Sequence, residues 1–467
     1  MKKTALGLRP LVLALAVAAC VPAAAQELDV AAIHLRLTQM EDEMQALRAL
    51  LAEHAQATGT AAGASPHATA ASPAALAPAT VSTSGASRSA VVPAATPTGA
   101  GSGRPAGTTF EFGGFIKFDA MTTTTSDGKI ADGTPGRLFY FPGATPVAES
   151  GQARRSTYSD LHAQFSRFSF ATDTTTDNGN TIKAYIEADM YGGGSNAFAG
   201  NETITNTYAL TLRHAYVRYG HWLAGQTWSN FQDTAALPDM VDFTGPSEGT
   251  VFNRQAQLRY TQGPWSFSVE NPQTTVTPYL SRSARFNSGD NRLPDITARW
   301  LTQGDWGHFT VAGLARQFRY GADTAAGGAL SVSGRLSLGQ NDDIRYMLSG
   351  GSGIGRYLGF ALASDTVLDA DGDMHALRGY GGFVAWRHAF TPKLRGNLAY
   401  SVAAFDNDAM RTGGLVTRTS QSFRINMIYS PAPRFDVGGE ISWAQRRLEN
   451  GLEGDLQRIH THVKYSF

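Results

Sequence analysis

The feature that most constrains this chain is a period-two alternation that starts near residue 108 and runs to the last residue. Ile182, Ala184, Ile186, Ala188 and Met190 alternate with Lys183, Tyr185, Glu187, Asp189 and Tyr191. Leu394, Gly396, Leu398 and Tyr400 alternate with Arg395, Asn397, Ala399 and Ser401, and Phe435, Val437, Gly439, Ile441 and Trp443 with Asp436, Gly438, Glu440 and Ser442. Phe423, Ile425, Met427 and Tyr429 follow the same rhythm, broken only at Ile428. Period two belongs to a β-strand, whose successive side chains point to opposite faces. One face here is apolar and the other is often charged. A soluble sandwich would turn the apolar face inward. A membrane barrel turns it to lipid and lines water with the charged face.

Three features favour the barrel. An export-type segment precedes the strands. Connections alternate between compact turns (Asp177-Asn178-Gly179-Asn180, Thr391-Pro392, Ser430-Pro431-Ala432-Pro433) and long polar loops (122–160, 229–250, 271–293, 363–375), the pattern of short periplasmic turns and longer external loops. The chain also ends on an alternating strand, Ile459, Thr461, Val463, Tyr465 and Phe467. An aromatic terminal strand resembles the assembly signal of bacterial outer-membrane proteins, which makes the barrel-assembly machinery an expected partner through Phe467. Residues 108–467 leave room for about sixteen antiparallel strands of 9–11 residues with their connections. Side chains cannot fill a barrel of that size, so an aqueous channel is expected. The 50 glycines and 10% aromatics suit many short strands joined by turns.

The first 107 residues read differently. Lys2 and Lys3, the apolar run Leu11 to Ala19 and Ala23-Ala24-Ala25 form a signal peptide over 1–25, with Gln26 as the mature start. The alternative is lipidation at Cys20, the single cysteine, after Val17-Ala18-Ala19; no disulfide can form. Residues 26–57 read as a periplasmic coiled-coil helix. Val30, Ile33, Leu37, Met40, Met44, Leu47, Leu51 and His54 are spaced alternately three and four apart. Packing of that helix on its own barrel is the other reading. Residues 58–107 are rich in Ala, Ser, Thr, Pro and Gly and read as a flexible linker. No later apolar run is long enough for a transmembrane helix. A net charge of zero gives no basic field for nucleic acid.

The stretches Leu212-Arg213-His214-Ala215-Tyr216-Val217-Arg218-Tyr219 and Leu223-Ala224-Gly225-Gln226-Thr227-Trp228-Ser229-Asn230-Phe231 resemble the DcaP-type porins. Gly114 to Ala120, Ser166 to Phe170, Glu187 to Tyr191 and Arg254 to Tyr260 support the resemblance, as does a heptad segment plus linker before the barrel. It implies a homotrimer of sixteen-stranded barrels in the bacterial outer membrane, in contact with lipid and lipopolysaccharide. It also implies a loop folded into each pore and a preference for small anions such as dicarboxylates.

The candidate site residues follow. The 229–250 segment, with Asp233, Asp239, Asp242 and Glu248, is expected to be a constriction loop rather than an ordinary external one. Arg167, Arg213, Arg218, Arg259, Arg299, Arg316, Arg335, Arg345, Arg395 and Arg424, with Lys117 and Lys183, are the expected pore-lining cations. Guanidinium groups present fixed donors suited to carboxylate, and rings of them favour anions. Arg218 and Arg259 lead, because they flank the loop in sequence. Arg213 and Arg218 have opposite parity, so a regular strand cannot turn both to the pore. The competing reading is that most of these arginines pair with lumen acids such as Glu187, Asp189, Glu270 and Glu440. Asp369-Ala370-Asp371-Gly372-Asp373 lacks the Gly and Glu positions of a calcium loop and reads as a solvated external loop. Trp222, Trp265, Trp300, Trp306, Trp386 and Trp443 suit an interfacial girdle, and His460 and His462 suit lumen lining. Gly350 to Gly355 reads as flexibility at a strand end. No nucleophile elbow, zinc motif or phosphate loop is present, so no catalytic residue, metal or cofactor is expected. A passive pore is therefore the expected function. A structural anchor held by the coiled coil, or an outer-membrane barrel enzyme, is the alternative.

Overall fold

The computed structural model describes residues 107–149, 152–192, 206, 208–281 and 284–467. The expected signal peptide with Cys20, the helix 26–57 and all but the last residue of the linker lie outside the described residues.

Twenty-one strands are described, in chain order β1 (Thr108–Thr125), β2 (Ser156–His162), β3 (Arg167–Thr175), β4 (Thr181–Gly192), β5 (Ala209–Tyr219), β6 (Trp222–Trp228), β7 (Arg254–Gln262), β8 (Trp265–Glu270), β9 (Thr275–Thr277), β10 (Phe286–Asn287), β11 (Asp295–Gly304), β12 (Gly307–Tyr320), β13 (Asp323–Leu338), β14 (Asp342–Ser352), β15 (Thr366–Leu368), β16 (Met374–Ala376), β17 (Arg378–Thr391), β18 (Leu394–Asp406), β19 (Thr417–Ala432), β20 (Phe435–Leu448) and β21 (Glu453–Ser466). Seventeen form one sheet. β2 and β3 follow one another along β1, with Asp119 opposite His162 and Phe115 opposite Arg167, so they share one wall position. The ring thus has sixteen positions and closes where β21 meets β1, Ile116 opposite Tyr465. Closure leaves no open edge for another chain to extend.

The connections at the end holding Thr108 and Ser466 are tight: 176–180, 220–221, 263–264, 305–306, 339–341, 392–393 and 433–434. The opposite end carries the long connections 126–155, 229–253, 271–294, 353–377 and 407–416, with 321–322 and 449–452 as short ones. By the rule of short periplasmic turns, the first end faces the periplasm.

The molecule is inside out relative to a soluble protein. Phe112, Ile116, Leu330, Leu348, Val384, Ile425, Ile441 and Ile459 are exposed on the outer face. Lys117, Asp189, Glu270, Arg316, Arg424, Glu440, Arg458, His460 and His462 are buried on the inner one. Trp222, Trp265, Trp306, Trp386 and Tyr465 stand exposed on the periplasmic half, where amphipathic rings suit a membrane interface. Phe467 stacks on Phe112 at 5.6 Å.

Two departures from regular alternation matter. In β5, Glu187 faces His214 while Ala188 faces Leu212, so Arg213 is an extra residue in a bulge. A bulge shifts side-chain parity. Leu212 and Val217 are both exposed outward, and Arg213 and Arg218 therefore share the inner face. A regular strand would have turned them to opposite faces; the extra residue removes that constraint. Inside the barrel, β9, β10, β15 and β16 form a separate four-stranded sheet that ties 271–294 to 353–377. It and its neighbours partly fill the lumen with an apolar cluster of Phe231, Val251, Met347, Ile354, Tyr357 and Phe383. The Gly350–Gly355 run is shaped by packing in that region. A Cβ on Gly353, whose φ is +69°, would lie 2.1 Å from the Phe318 ring.

Candidate functional site

The connection between β6 and β7, residues 229–253, does not stay outside the barrel. It runs along the inner wall, tied strand by strand. Asp233 Oδ2 lies 2.8 Å from His308 Nε2 on β12 and accepts from Ser333 Oγ on β13 at 2.9 Å. Arg345 on β14 donates to the Leu237 carbonyl. Asn397 and Asn426, on β18 and β19, donate to the Asp239 carbonyl at 2.6 and 3.1 Å. The Val241 N–H donates to Glu440 on β20 at 2.9 Å, and Lys117 on β1 donates to the Val241 carbonyl at 2.9 Å. At its far point Phe243 stacks on Phe165 at 4.2 Å and meets Arg167 and Arg213 at 5.8 and 5.4 Å. The return leg places the Gly249 N–H 2.9 Å from Ser401 Oγ. A Cβ at Gly249 would lie 2.1 Å from the Gly382 backbone, so only glycine fits this approach.

Each acid of the loop is engaged. Asp233 serves His308 and Ser333, and Asp239 pairs with Arg395, which also reaches Asp436 at 3.3 Å. Asp242 accepts from the Tyr140 N–H at 2.9 Å and Thr244 Oγ1 at 2.9 Å, with Arg424 and Arg458 at 4.0 Å and His460 Nδ1 at 3.7 Å. Burial alone would push the Asp242 carboxyl up; the His460 ring and the Arg424 and Arg458 guanidinium groups overcome this and hold it well below the usual carboxylate range. Glu248 accepts from Tyr140 Oη at 2.6 Å and Ser422 Oγ at 2.8 Å. Burial there wins over Arg424 and raises the carboxyl. Asp242 and Glu248 are buried, so their charges act inside the contact between loop and wall.

The cations divide into two groups. Arg316 is clasped by Asp365 at 2.7 Å and Asp295 at 3.2 Å, and Arg424 by Glu440 at 2.9 Å. Arg395 belongs with them. Arg167 and Arg213 share Glu187 and Asp189 at 2.8 to 3.7 Å. Lys183 pairs with Asp173 at 3.4 Å in a half-exposed position. In contrast, Arg218, Arg254, Arg259 and Arg299 form no ion pair among the described residues. Arg218 and Arg259 both stand opposite Leu223 of β6, one on each side, so their backbones are about 10 Å apart. Arg259 donates only to neutral oxygens, Gln257 Oε1 at 2.9 Å and the Trp228 carbonyl at 2.6 Å. Arg299 donates to the Gln232 carbonyl at 3.2 Å. Arg254 lies over the Trp228 ring at 5.1 Å.

Arg254, His308, Tyr140 and Arg458 were not apparent from the sequence as site residues, whereas Arg335 was among the expected polar-phase arginines. Arg254 carried no phase signal for the inner face, since it shares the parity of Ala256, Leu258 and Tyr260 on β7. Tyr140 carried none, because its place depends on how 126–155 folds against the loop. His460 and His462 lie on the inner face under the loop, His460 Nε2 at 2.8 Å from Asp119. In 369–373 the Asp369 carboxylate accepts from the Asp371 and Asp373 N–H groups and binds His375 at 2.6 Å, so it shapes the turn. Among the described residues no group of three or more His, Cys, Asp or Glu side chains is arranged to hold a metal, and no helix is long and apolar enough to cross a membrane.

The family model described as DcaP outer membrane protein matches residues 108–467. Among solved structures, the outer membrane channel DcaP of Acinetobacter baumannii superposes with a TM-score of 0.64 at 23% identity, covering 79% of this chain and 100% of that one. The anion-selective porin from Comamonas acidovorans gives a TM-score of 0.47 at 9% identity, covering 77% of this chain and 100% of that one. The first of these shows the barrel fold. No curated protein sequence matches the chain.

Proposed function

The chain belongs to the DcaP outer membrane protein family, and we propose that it is a porin that lets small hydrophilic solutes diffuse passively across the outer membrane and favours anions such as dicarboxylates. One observation carries the preference. The wall from β5 to β11 presents Arg218, Arg254, Arg259 and Arg299 without ion-pair partners among the described residues, whereas the loop's own acids are tied to β12, β13, β18 and β19. Anion preference needs net positive potential where the passage is narrow, and low-dielectric surroundings strengthen each charge there. The 229–253 loop narrows the passage, leaving Arg218 and Arg259 to set its sign.

In the same reading, residues 1–25 direct export, residues 26–57 form a periplasmic coiled coil, and three protomers assemble in the membrane. Planar-bilayer recording of the purified protein tests the function. Stable ohmic current steps, with a reversal potential in a potassium chloride gradient on the anion side, are expected. Absence of steps, or a cation-side reversal potential, contradicts the reading.

A further inference from the structure

Between the Thr234–Ala236 turn of the loop and the inner faces of β11, β12 and β13 lies a cavity of about 610 Å³. Asp233, Arg299, Gln303, His308, Thr310 and Arg335 line it. Gln303 is one residue from the end of β11, beside the 305–306 turn, so the cavity opens at the periplasmic end of the barrel.

Its charges do not balance. Asp233 is the one carboxylate among these residues, and both its oxygens are already engaged. Oδ2 takes His308 at 2.8 Å and Ser333 Oγ at 2.9 Å, and Oδ1 takes the Ala235 N–H at 3.1 Å. Arg299 and Arg335 form no ion pair among the described residues. Arg335 stands directly across from His308 on one side and Arg345 on the other. Arg345 has Asp343 at 2.7 Å, but that carboxylate also holds Arg387 at 3.6 Å. Like charges on facing strand positions destabilise one another. In addition, Arg299 Nε and Thr310 Oγ1 are buried without a hydrogen-bond partner. Leaving such donors unmade is costly, so a cavity edged by them is suited to an acceptor.

The geometry points to a binding site for a small, doubly charged oxyanion in this cavity, held by Arg299 and Arg335 with Thr310 as a neutral donor. Two guanidinium groups match two negative charges, and their planar donors suit carboxylate or phosphate oxygens. The lining is mostly polar, so a hydrophilic anion fits better than one with an apolar body. The site centres on β11 to β13, and Arg299 links it to Arg259 by charge. It deepens the anion reading and rests on a lumen that is open to water and to the periplasm. A solute leaving the narrow region would pause here before release.

Calorimetric titration of the full-length protein in detergent at low ionic strength tests the site, with malonate and inorganic phosphate as probes. Arg335→Gln is expected to weaken binding about tenfold or more, and Thr310→Val about two- to fivefold, as for a lost charged and a lost neutral donor. Arg335→Lys should restore much of the loss. The Thr310 hydroxyl has no partner to lose, so that variant keeps its fold. Stronger binding of malonate assigns a dicarboxylate and stronger binding of phosphate a phosphate; either supports the site. No binding by the wild type, or wild-type binding in Arg335→Gln, overturns it. The Arg218→Gln/Arg259→Gln variant separates this site from the pore reading. If it shifts the reversal potential while Arg335→Gln binds normally, the site fails and the pore reading stands. If the reversal potential is unmoved while Arg335→Gln loses binding, the site stands and the pore reading fails.

Discussion

Two stretches of the same inner wall use arginine in opposite ways. From β12 round through β21, Arg316, Arg395 and Arg424 each meet at least one carboxylate within 3.3 Å. These three fasten inner loops to the wall, while Arg335 on β13 forms no ion pair among the described residues and Arg213 on β5 is paired. From β5 to β11, Arg218, Arg254, Arg259 and Arg299 face the lumen with neutral partners or none. The same side chain is a clasp where a carboxylate reaches it and a free positive charge where none does. Zero net charge over the whole chain therefore says little about the charge a solute meets.

The clasp side can be broken most severely at Asp242. Asp242→Ala leaves Arg424, Arg458 and His460 facing one another, and removing one partner of a buried charged set costs about 3–5 kcal/mol. The loop is expected to leave the wall, seen as larger and noisier single-channel currents. Currents identical to wild type would show that Asp242 does not hold it.

A smaller effect is expected at Gly249. Gly249→Ala forces the loop away from the Gly382 backbone at a cost of about 1–3 kcal/mol, in the range of overpacked contacts. Conductance should rise less than in Asp242→Ala, with ion preference kept. A variant indistinguishable from wild type in conductance and thermal stability would count against so close an approach.

Acid should act later than ordinary carboxylate titration suggests. The Asp242 carboxyl is held down in the folded protein, so its contribution is complete above the ordinary carboxylate range and is lost only as pH falls through its depressed value. Glu248 has the opposite sign: its raised carboxyl favours the docked loop more once protonated and less as pH rises through its folded value. Acidification from neutral pH is thus expected to keep the loop docked or tighten it, with larger and noisier currents only below the ordinary carboxylate range. Larger and noisier currents on acidification within or above that range would contradict this.

Much of the barrel was legible in the sequence, and much of the division within it was not. Alternation in segments such as Ile182 to Tyr191 gives strands, faces and an approximate count, because period two is local. The turn lengths that orient the barrel are local too. Pairing is not. Whether Arg316 meets Asp365, 49 positions later, depends on how 353–377 folds inward. Arg213 and Arg218 share a face only because one extra residue interrupts β5. The short strands β9, β10, β15 and β16 carry too few residues to show a period. Asp242 and Glu248 look like pore-facing acids until Tyr140, from a different loop, is seen to accompany them.

The most direct test compares the two sides by ion preference. Reversal potential in a salt gradient should be measured for wild type, for Arg218→Gln/Arg259→Gln and for Arg316→Gln. The bare pair should move selectivity toward cations. Neutralising the clasped Arg316 should change stability or current noise and leave preference close to wild type. Equal shifts in both variants, or a shift in Arg316→Gln alone, would contradict the account.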